Sequence, residues 1–150
     1  MNLIAIRGRQ NDGKTTTATM LHNDIVGRGA KVKLVQTNGN YLSVGKWMVD
    51  FQSVLDWEKK RIVIISEGDD DDRLKGLMDC LINDYRPDIV VVCTRAYDRV
   101  GSSYHMLHEH YGDIMSSENE IWTEFAEDVE KMTDVKSKIV EKIVNRIVAL

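Results

Sequence analysis

Residues 3–16 run Leu3-Ile4-Ala5-Ile6-Arg7-Gly8-Arg9-Gln10-Asn11-Asp12-Gly13-Lys14-Thr15-Thr16. The four apolar residues Leu3 to Ile6 suit a strand buried on both faces, as in a parallel sheet. Gly8 to Thr15 then match G-x-x-x-x-G-K-[ST] at every defined position. The chemistry needs these residue types. A backbone that wraps an anion must point consecutive N–H groups inward, and a glycine at each end permits the dihedrals and the close approach. A helix opening at Lys14 adds free N–H groups and a positive dipole end. The Lys14 ammonium can reach the β- and γ-phosphates of a nucleoside triphosphate, and the Thr15 hydroxyl is placed to ligate Mg²⁺. Gly8, Arg9, Gln10, Asn11, Asp12, Gly13, Lys14, Thr15 and Thr16 are the expected nucleotide contacts.

After the loop, Ala18, Leu21, His22, Ile25 and Val26 fall three and four apart, which predicts a helix from Lys14 to Arg28, stopped by Gly27 and Gly29. Val32, Leu34 and Val35 make a second strand ending in the turn residues Thr37-Asn38-Gly39-Asn40. Val44, Trp47, Met48, Phe51, Val54 and Leu55 fall at helical spacing, and Lys59-Lys60-Arg61 would close that helix with favourable charge. Ile62 to Ile65 is a third buried strand. A helix over Asp72 to Tyr85 puts Leu74, Leu77, Met78, Leu81 and Ile82 inward and ends before Pro87. Ile89 to Cys93 is a fourth strand. Ser102 to Tyr111 and Asp134 to Val148 read as helices, the second with Val135, Ile139, Ile143, Val144 and Ile147 on one face. Asp113 to Ser117 is a candidate fifth strand.

This alternation predicts a mostly parallel sheet with right-handed crossovers and helices on both faces, a three-layer α/β/α sandwich in one domain over residues 1–150. Ligands of such sheets bind beyond the carboxyl ends of the strands. Gly8, Thr37-Asn38, Ser66-Glu67 and Thr94-Arg95 are therefore expected on one rim.

The loop in this setting resembles the P-loop NTPase superfamily. Residues 13–38, GKTTTATMLHNDIVGRGAKVKLVQTN, are similar to the opening of the partitioning-type and metallochaperone-type ATPases, which run G-K-T-T, a helix, G-x-K-V and a strand. Those proteins carry a lysine just after the first loop glycine, where this chain has Arg9. MobB-like and dethiobiotin-synthetase-like proteins share the opening without that lysine. The resemblance implies the P-loop NTPase fold, a bound nucleoside triphosphate with Mg²⁺, and one of three roles. These are hydrolysis, transfer of the γ-phosphoryl group to a small molecule or nucleotide, and a non-catalytic nucleotide-bound regulatory module.

Such a loop works with an acid at the end of a neighbouring strand. Ser66-Glu67-Gly68-Asp69 follows the third strand, so Glu67 or Asp69 is expected beside the Mg²⁺ with Thr15. The competing reading is that the acids from Asp69 to Asp72 cap the next helix. Lys14, Glu67 and Arg95 are the expected catalytic groups, Arg95 as a contact to phosphate or to transition-state charge. Guanine readers carry N/T-K-x-D after a late strand. Here Thr94-Arg95-Ala96-Tyr97-Asp98 places arginine for lysine and the acid one residue late, which favours ATP over GTP. Arg95, Asp98 and Arg99 sit in a segment that can close over the rim. His105, His108 and His110 lack a metal spacing, and Trp47, Phe51 and Trp57 read as core. Tyr41 lies in the loop after the second strand without a motif around it.

The chain has 150 residues, 29% of them charged and 43% hydrophobic, with a formal net charge of −4. That is one ordinary globular domain, large enough to bury a core without disulfides. The negative balance argues against a general nucleic-acid binder, although Arg7, Arg9, Lys14, Arg95 and Arg99 can form a local basic patch. Cys80 and Cys93 sit among apolar residues and read as two buried, reduced thiols. The apolar run at the N-terminus is too short for a signal peptide or a membrane span, so a cytoplasmic location is expected. The expected partners are the triphosphate and a small molecule or protein; a homodimer is compatible with the sequence.

Overall fold

The computed structural model describes residues 1–9, 13–37, 50–68, 70–123 and 129–150, the side chains of residues 129 and 130 excepted. Gln10, Asn11, Asp12 and Asp69 lie outside the described residues, as do Asn38-Gly39-Asn40, Tyr41, Val44, Trp47 and Met48.

The described elements are β1 (Asn2–Arg7), α1 (Lys14–Gly27), β2 (Lys31–Thr37), β3 (Phe51–Trp57), β4 (Lys60–Ile65), α2 (Asp71–Tyr85), β5 (Ile89–Thr94), α3 (Ser103–Tyr111), β6 (Glu120–Trp122) and α4 (Val129–Ala149). The six strands form one mixed sheet in the order β2-β3-β4-β5-β1-β6. β4, β5, β1 and β6 run parallel, and β3 is antiparallel to both of its neighbours.

Period-2 alternation distributes the apolar residues between two cores. Ile4, Ile6, Ile62, Ile64 and Val91 face α1 and α4, where Leu21, Ile25, Ile139 and Ile143 meet them. Leu3, Ala5, Val63, Ile65 and Val92 face α2 and α3, where Leu74, Met78, Leu81 and Leu107 meet them. With helices covering both faces, the central strands read as unbroken apolar runs.

Three sequence expectations are corrected here. The helix expected across Phe51, Val54 and Leu55 is strand β3, buried on both faces, so its apolar spacing carries no period-2 signature. The lysines meant to close that helix lie in and after a two-residue hairpin turn, Glu58 (φ 51°) and Lys59 (φ 60°), which joins β3 to β4. Asp113 to Ser117 is not a strand. Short 3₁₀ turns occupy Gly112–Ile114 and Ser117–Asn119, and the sixth strand follows at Glu120–Trp122. Cys80 is exposed on α2, whereas Cys93 is buried in β5.

The helix ends follow local chemistry. Asp70 caps α2 by accepting the Arg73 N–H at 3.0 Å, and Asp71 and Asp72 sit in the first turn against the positive dipole end. Arg86 ends the helix in the left-handed region, and Pro87 follows. Among the described residues, no helix is long and apolar enough to cross a membrane.

Candidate functional site

β1, β5 and β4 end side by side on one rim, and α1 starts there. Gly13, at φ 78° and ψ 30°, turns the chain into α1. Its carbonyl accepts the Thr17 N–H at 2.9 Å and the Thr17 hydroxyl at 3.0 Å. No side-chain cap and no first-turn acid is found for α1 among the described residues, unlike α2. The N-terminal end of α1, with its positive dipole, therefore stands on this rim beside the ends of β1 and β5.

Both loop glycines are hemmed in. A Cβ on Gly8 would lie 2.1 Å from Thr123 Oγ1 and 3.2 Å from Lys14 Cγ. A Cβ on Gly13 would lie 1.9 Å from Lys136 Nζ, at a φ that already disfavours L side chains.

Lys14 is buried, and its ammonium donates to the carbonyls of Gly8 and Thr94, both at 3.0 Å. Since the Gly8 N–H also donates to the Thr94 carbonyl at 3.3 Å, this lysine ties the loop to the end of β5. Hydrogen bonds from a charged donor contribute about 1.5–3 kcal/mol each.

A second lysine enters from α4. Lys136 is buried and donates to the Gly13 carbonyl at 3.4 Å. It shares the inward register with Val140, Ile143 and Ile147, and a lysine at a core position of an amphipathic helix is the sequence signal for it.

The acid beside Thr15 is Asp50, which immediately precedes β3. The Thr15 hydroxyl donates to Asp50 Oδ1 at 3.0 Å, and the Ser66 hydroxyl donates to the same oxygen at 3.4 Å. Sequence reasoning missed Asp50 because it assigned that stretch to a helix. Glu67 is buried at the end of β4. It accepts from Gln52 Nε2 at 2.7 Å and from the Arg73 guanidinium, whose pKa it holds above the ordinary arginine value. Because β5 intervenes between β1 and β4, Glu67 stands two strand spacings from the loop strand, roughly 10 Å across the sheet.

Gly68 lets this segment cross the end of β5. A Cβ there would lie 1.7 Å from the Cys93 carbonyl oxygen. The Gly68 carbonyl accepts the Ser103 hydroxyl, and that hydroxyl oxygen accepts the Arg95 N–H at 2.9 Å.

No family model, curated protein or solved structure matches the chain.

The five cations of the expected basic patch divide. Arg9, Arg95 and Arg99 line one cavity of about 290 Å³ with Ala96, Tyr97 and Ser102. Lys14 is instead buried on the Gly8 and Thr94 carbonyls. Arg7 turns away, donating to Glu120 at 3.1 Å and to the Ala96 carbonyl at 2.5 Å, with its guanidinium over the rings of Tyr104 and Trp122. Burial and the neighbouring Glu120 push the Tyr104 hydroxyl up to about 12. Asp98 pairs with His105 at 2.6 Å and with His108 at 3.4 Å. Among the described residues, no group of three or more His, Cys, Asp or Glu side chains is arranged to hold a metal ion. A cleft of about 470 Å³ lies at the opposite end of the sheet beside the β3–β4 hairpin, and none of the expected site residues lines it.

Proposed function

We propose that this chain is a P-loop nucleoside-triphosphate-binding protein of the three-layer P-loop NTPase fold, and that it hydrolyses ATP with Mg²⁺. One observation carries the reading. The pattern Gly8 to Thr15 lies between a buried central strand and the N-terminus of α1, with Gly13 in the left-handed region and the buried Lys14 ammonium donating to the Gly8 and Thr94 carbonyls.

In this reading the N–H groups at the start of α1 bind the phosphate tail, and Lys14 exchanges carbonyl contacts for phosphate oxygens. The Thr15 hydroxyl and Asp50 carboxylate are oxygen donors of the kind Mg²⁺ takes, and Mg²⁺ usually keeps several waters in such sites. When bound, the ion supplies charge neutralisation between the β- and γ-phosphates. Glu67, held in orientation by Gln52 and Arg73, positions the attacking water. Arg95 stands at the end of the intervening strand, where charge on the departing phosphate is met. Asp98 is committed to two histidines, which supports ATP over GTP.

Phosphoryl transfer to a small molecule is the second reading, favoured by the three-arginine cavity beside the loop. Calorimetry on Lys14→Ala is the first test. Losing one charge-assisted contact lowers ATP affinity by more than about tenfold with the circular dichroism unchanged; unaltered affinity would remove the loop from the site. Labelled ATP with and without a metabolite panel then separates transfer to water from transfer to an acceptor.

A further inference from the structure

We infer that the groove between the outer edge of β6 and α4 docks an extended acidic segment of a partner protein, which adds to the sheet as a strand beside β6. The backbone comes first. β6 is the last strand of the sheet, and its parallel register on β1 sets Trp122 opposite Arg7. The Thr123 N–H donates to the Arg7 carbonyl at 2.9 Å, so Thr123 turns its N–H toward β1. Trp122, one residue earlier, turns its N–H and C=O toward the open edge. Such an edge is a template for another strand. The opposite edge is blunted, because β2 carries exposed Lys31 and Lys33 and its register on β3 shifts between Val32 and Leu34. β6, Glu120-Ile121-Trp122, has neither device. Its one charge, Glu120, is turned to Arg7 and the Tyr104 hydroxyl.

The groove adds a reason to prefer one kind of sequence. It holds about 290 Å³ and is lined by Ile121, Trp122, Val135, Lys138, Ile139 and Lys142. Ile121 and Ile139 are buried and Val135 is half-buried, which makes the floor apolar. The two lysines stand one helical turn apart on α4, and no carboxylate is among the described residues that line the groove. Lys142 forms no ion pair among the described residues. Lys138 meets Asp134 at 3.4 Å, with the two side chains 76% and 69% exposed. So open a pair is worth little and yields to a better-placed carboxylate.

Side chains of an added strand alternate between two faces. On the α4 face one of them enters the groove over Ile121 and Ile139, and those two residues away from it reach toward Lys138 and Lys142. On the other face they pass Trp122, which is 47% exposed. Its ring is already set in place. The Arg7 guanidinium lies 4.4 Å from the ring centroid and is itself anchored on Glu120 at 3.1 Å and on the Ala96 carbonyl at 2.5 Å. An aromatic surface held in this way loses little freedom on binding. The partner pattern that fits is acid-x-aliphatic-x-acid. Nothing in this site depends on the phosphate-loop reading, and no nucleotide enters its test.

The test is fluorescence anisotropy of a fluorescein-labelled, C-amidated peptide, Glu-Thr-Val-Thr-Glu, titrated with the full chain at low salt. It should bind with a Kd of about 100 µM or below, and Lys-Thr-Val-Thr-Lys should bind at least about tenfold more weakly. Protein carrying Lys138→Glu and Lys142→Glu, both exposed positions, should keep its circular dichroism and lose about tenfold in affinity for the glutamate peptide. A strand at an edge uses every second N–H. N-methylation of the valine alone and of both threonines should therefore differ, one abolishing binding and the other changing it by less than about threefold. Four results would each overturn the proposal: no saturable binding of the glutamate peptide by about 1 mM protein, equal affinity for the two peptides, equal affinity of the two proteins, or equal loss from both methylations. A wild-type dimer in sedimentation that the charge-reversed protein does not form would assign the groove to a second copy, and would overturn it too.

Discussion

Gly68→Ala should be among the most damaging single-methyl additions in this protein, and Gly76→Ala should do the opposite. At Gly68 the new Cβ would meet only backbone: Cys93 O at 1.7 Å, Cys93 C at 2.5 Å and Thr94 N at 2.9 Å. No side chain can rotate away, so the β4–α2 connection must lift off β5 by about 1 Å or more. Overpacking of this kind costs about 1–3 kcal/mol, and the backbone character of the obstacle puts this case near 3 kcal/mol. At Gly76, in the exposed middle of α2, a Cβ meets nothing within 4 Å. Alanine there gains about 0.5–1 kcal/mol from helix propensity and a less flexible unfolded chain. In a domain of this size a kcal/mol moves Tm by about 2–4 °C. The first variant should therefore melt about 6–12 °C below wild type and the second about 1–4 °C above it. Urea unfolding followed by far-UV circular dichroism reads both as shifts of the midpoint at constant m. A Gly68→Ala variant that loses less than about 0.5 kcal/mol would refute the close crossing of the β4–α2 connection over the end of β5, and with it the placement of Glu67.

Other consequences are equally open to measurement. His22 is buried against Ser53 (2.9 Å) and edge-on to Phe51, and burial lowers its pKa below the ordinary 6.5. Below about pH 6.5 the unfolded chain binds a proton that the folded one refuses, so unfolding free energy should fall with falling pH by at most about 1.4 kcal/mol per pH unit. His22→Gln should flatten that slope, and an unchanged slope would assign it to other groups. Asp50→Asn keeps a polar partner for Thr15 but removes the charge, and should raise the Mg²⁺ concentration for half-maximal triphosphate binding roughly tenfold; an identical Mg²⁺ titration would take Asp50 out of the site. Glu67→Gln should slow ATP turnover by about a hundredfold while changing triphosphate affinity by less than about threefold, and equal turnover would leave Glu67 a purely structural acid.

The parts of the fold that were legible in the sequence are those with one dominant physical signal. Leu3 to Ile6, Ile62 to Ile65 and Ile89 to Cys93 are uninterrupted apolar runs because both faces of the central strands are covered, and all of their side chains are buried. The α2 boundaries were written in the acids before it and in Pro87 after it. β3 was misread because a strand buried on both faces spaces Phe51, Val54 and Leu55 much as a helix does. Its polar residues Gln52 and Ser53 are inward-facing and satisfied by Glu67 and His22, pairings no local pattern announces. β6, three residues long, is held by pairing with β1 rather than by its own propensity.

The same division holds at the site. Gly8, Gly13, Lys14 and Thr15 stand out because the loop conformation demands those types at fixed spacing. Asp50 and Lys136 reach the loop through tertiary packing, 35 and 123 residues from the groups they touch. The convergence of Arg9 with Arg95 and Arg99 depends on β5 lying next to β1 in the sheet, an order that the sequence alone does not specify.

The most direct trial of the account is a crystal structure of the protein with Mg²⁺ and a non-hydrolysable ATP analogue. The account predicts β- and γ-phosphate oxygens within hydrogen-bond reach of the Gly13, Lys14 and Thr15 N–H groups and of the Lys14 ammonium. A triphosphate tail seated elsewhere, for instance in the cleft beside the β3–β4 hairpin, would contradict it.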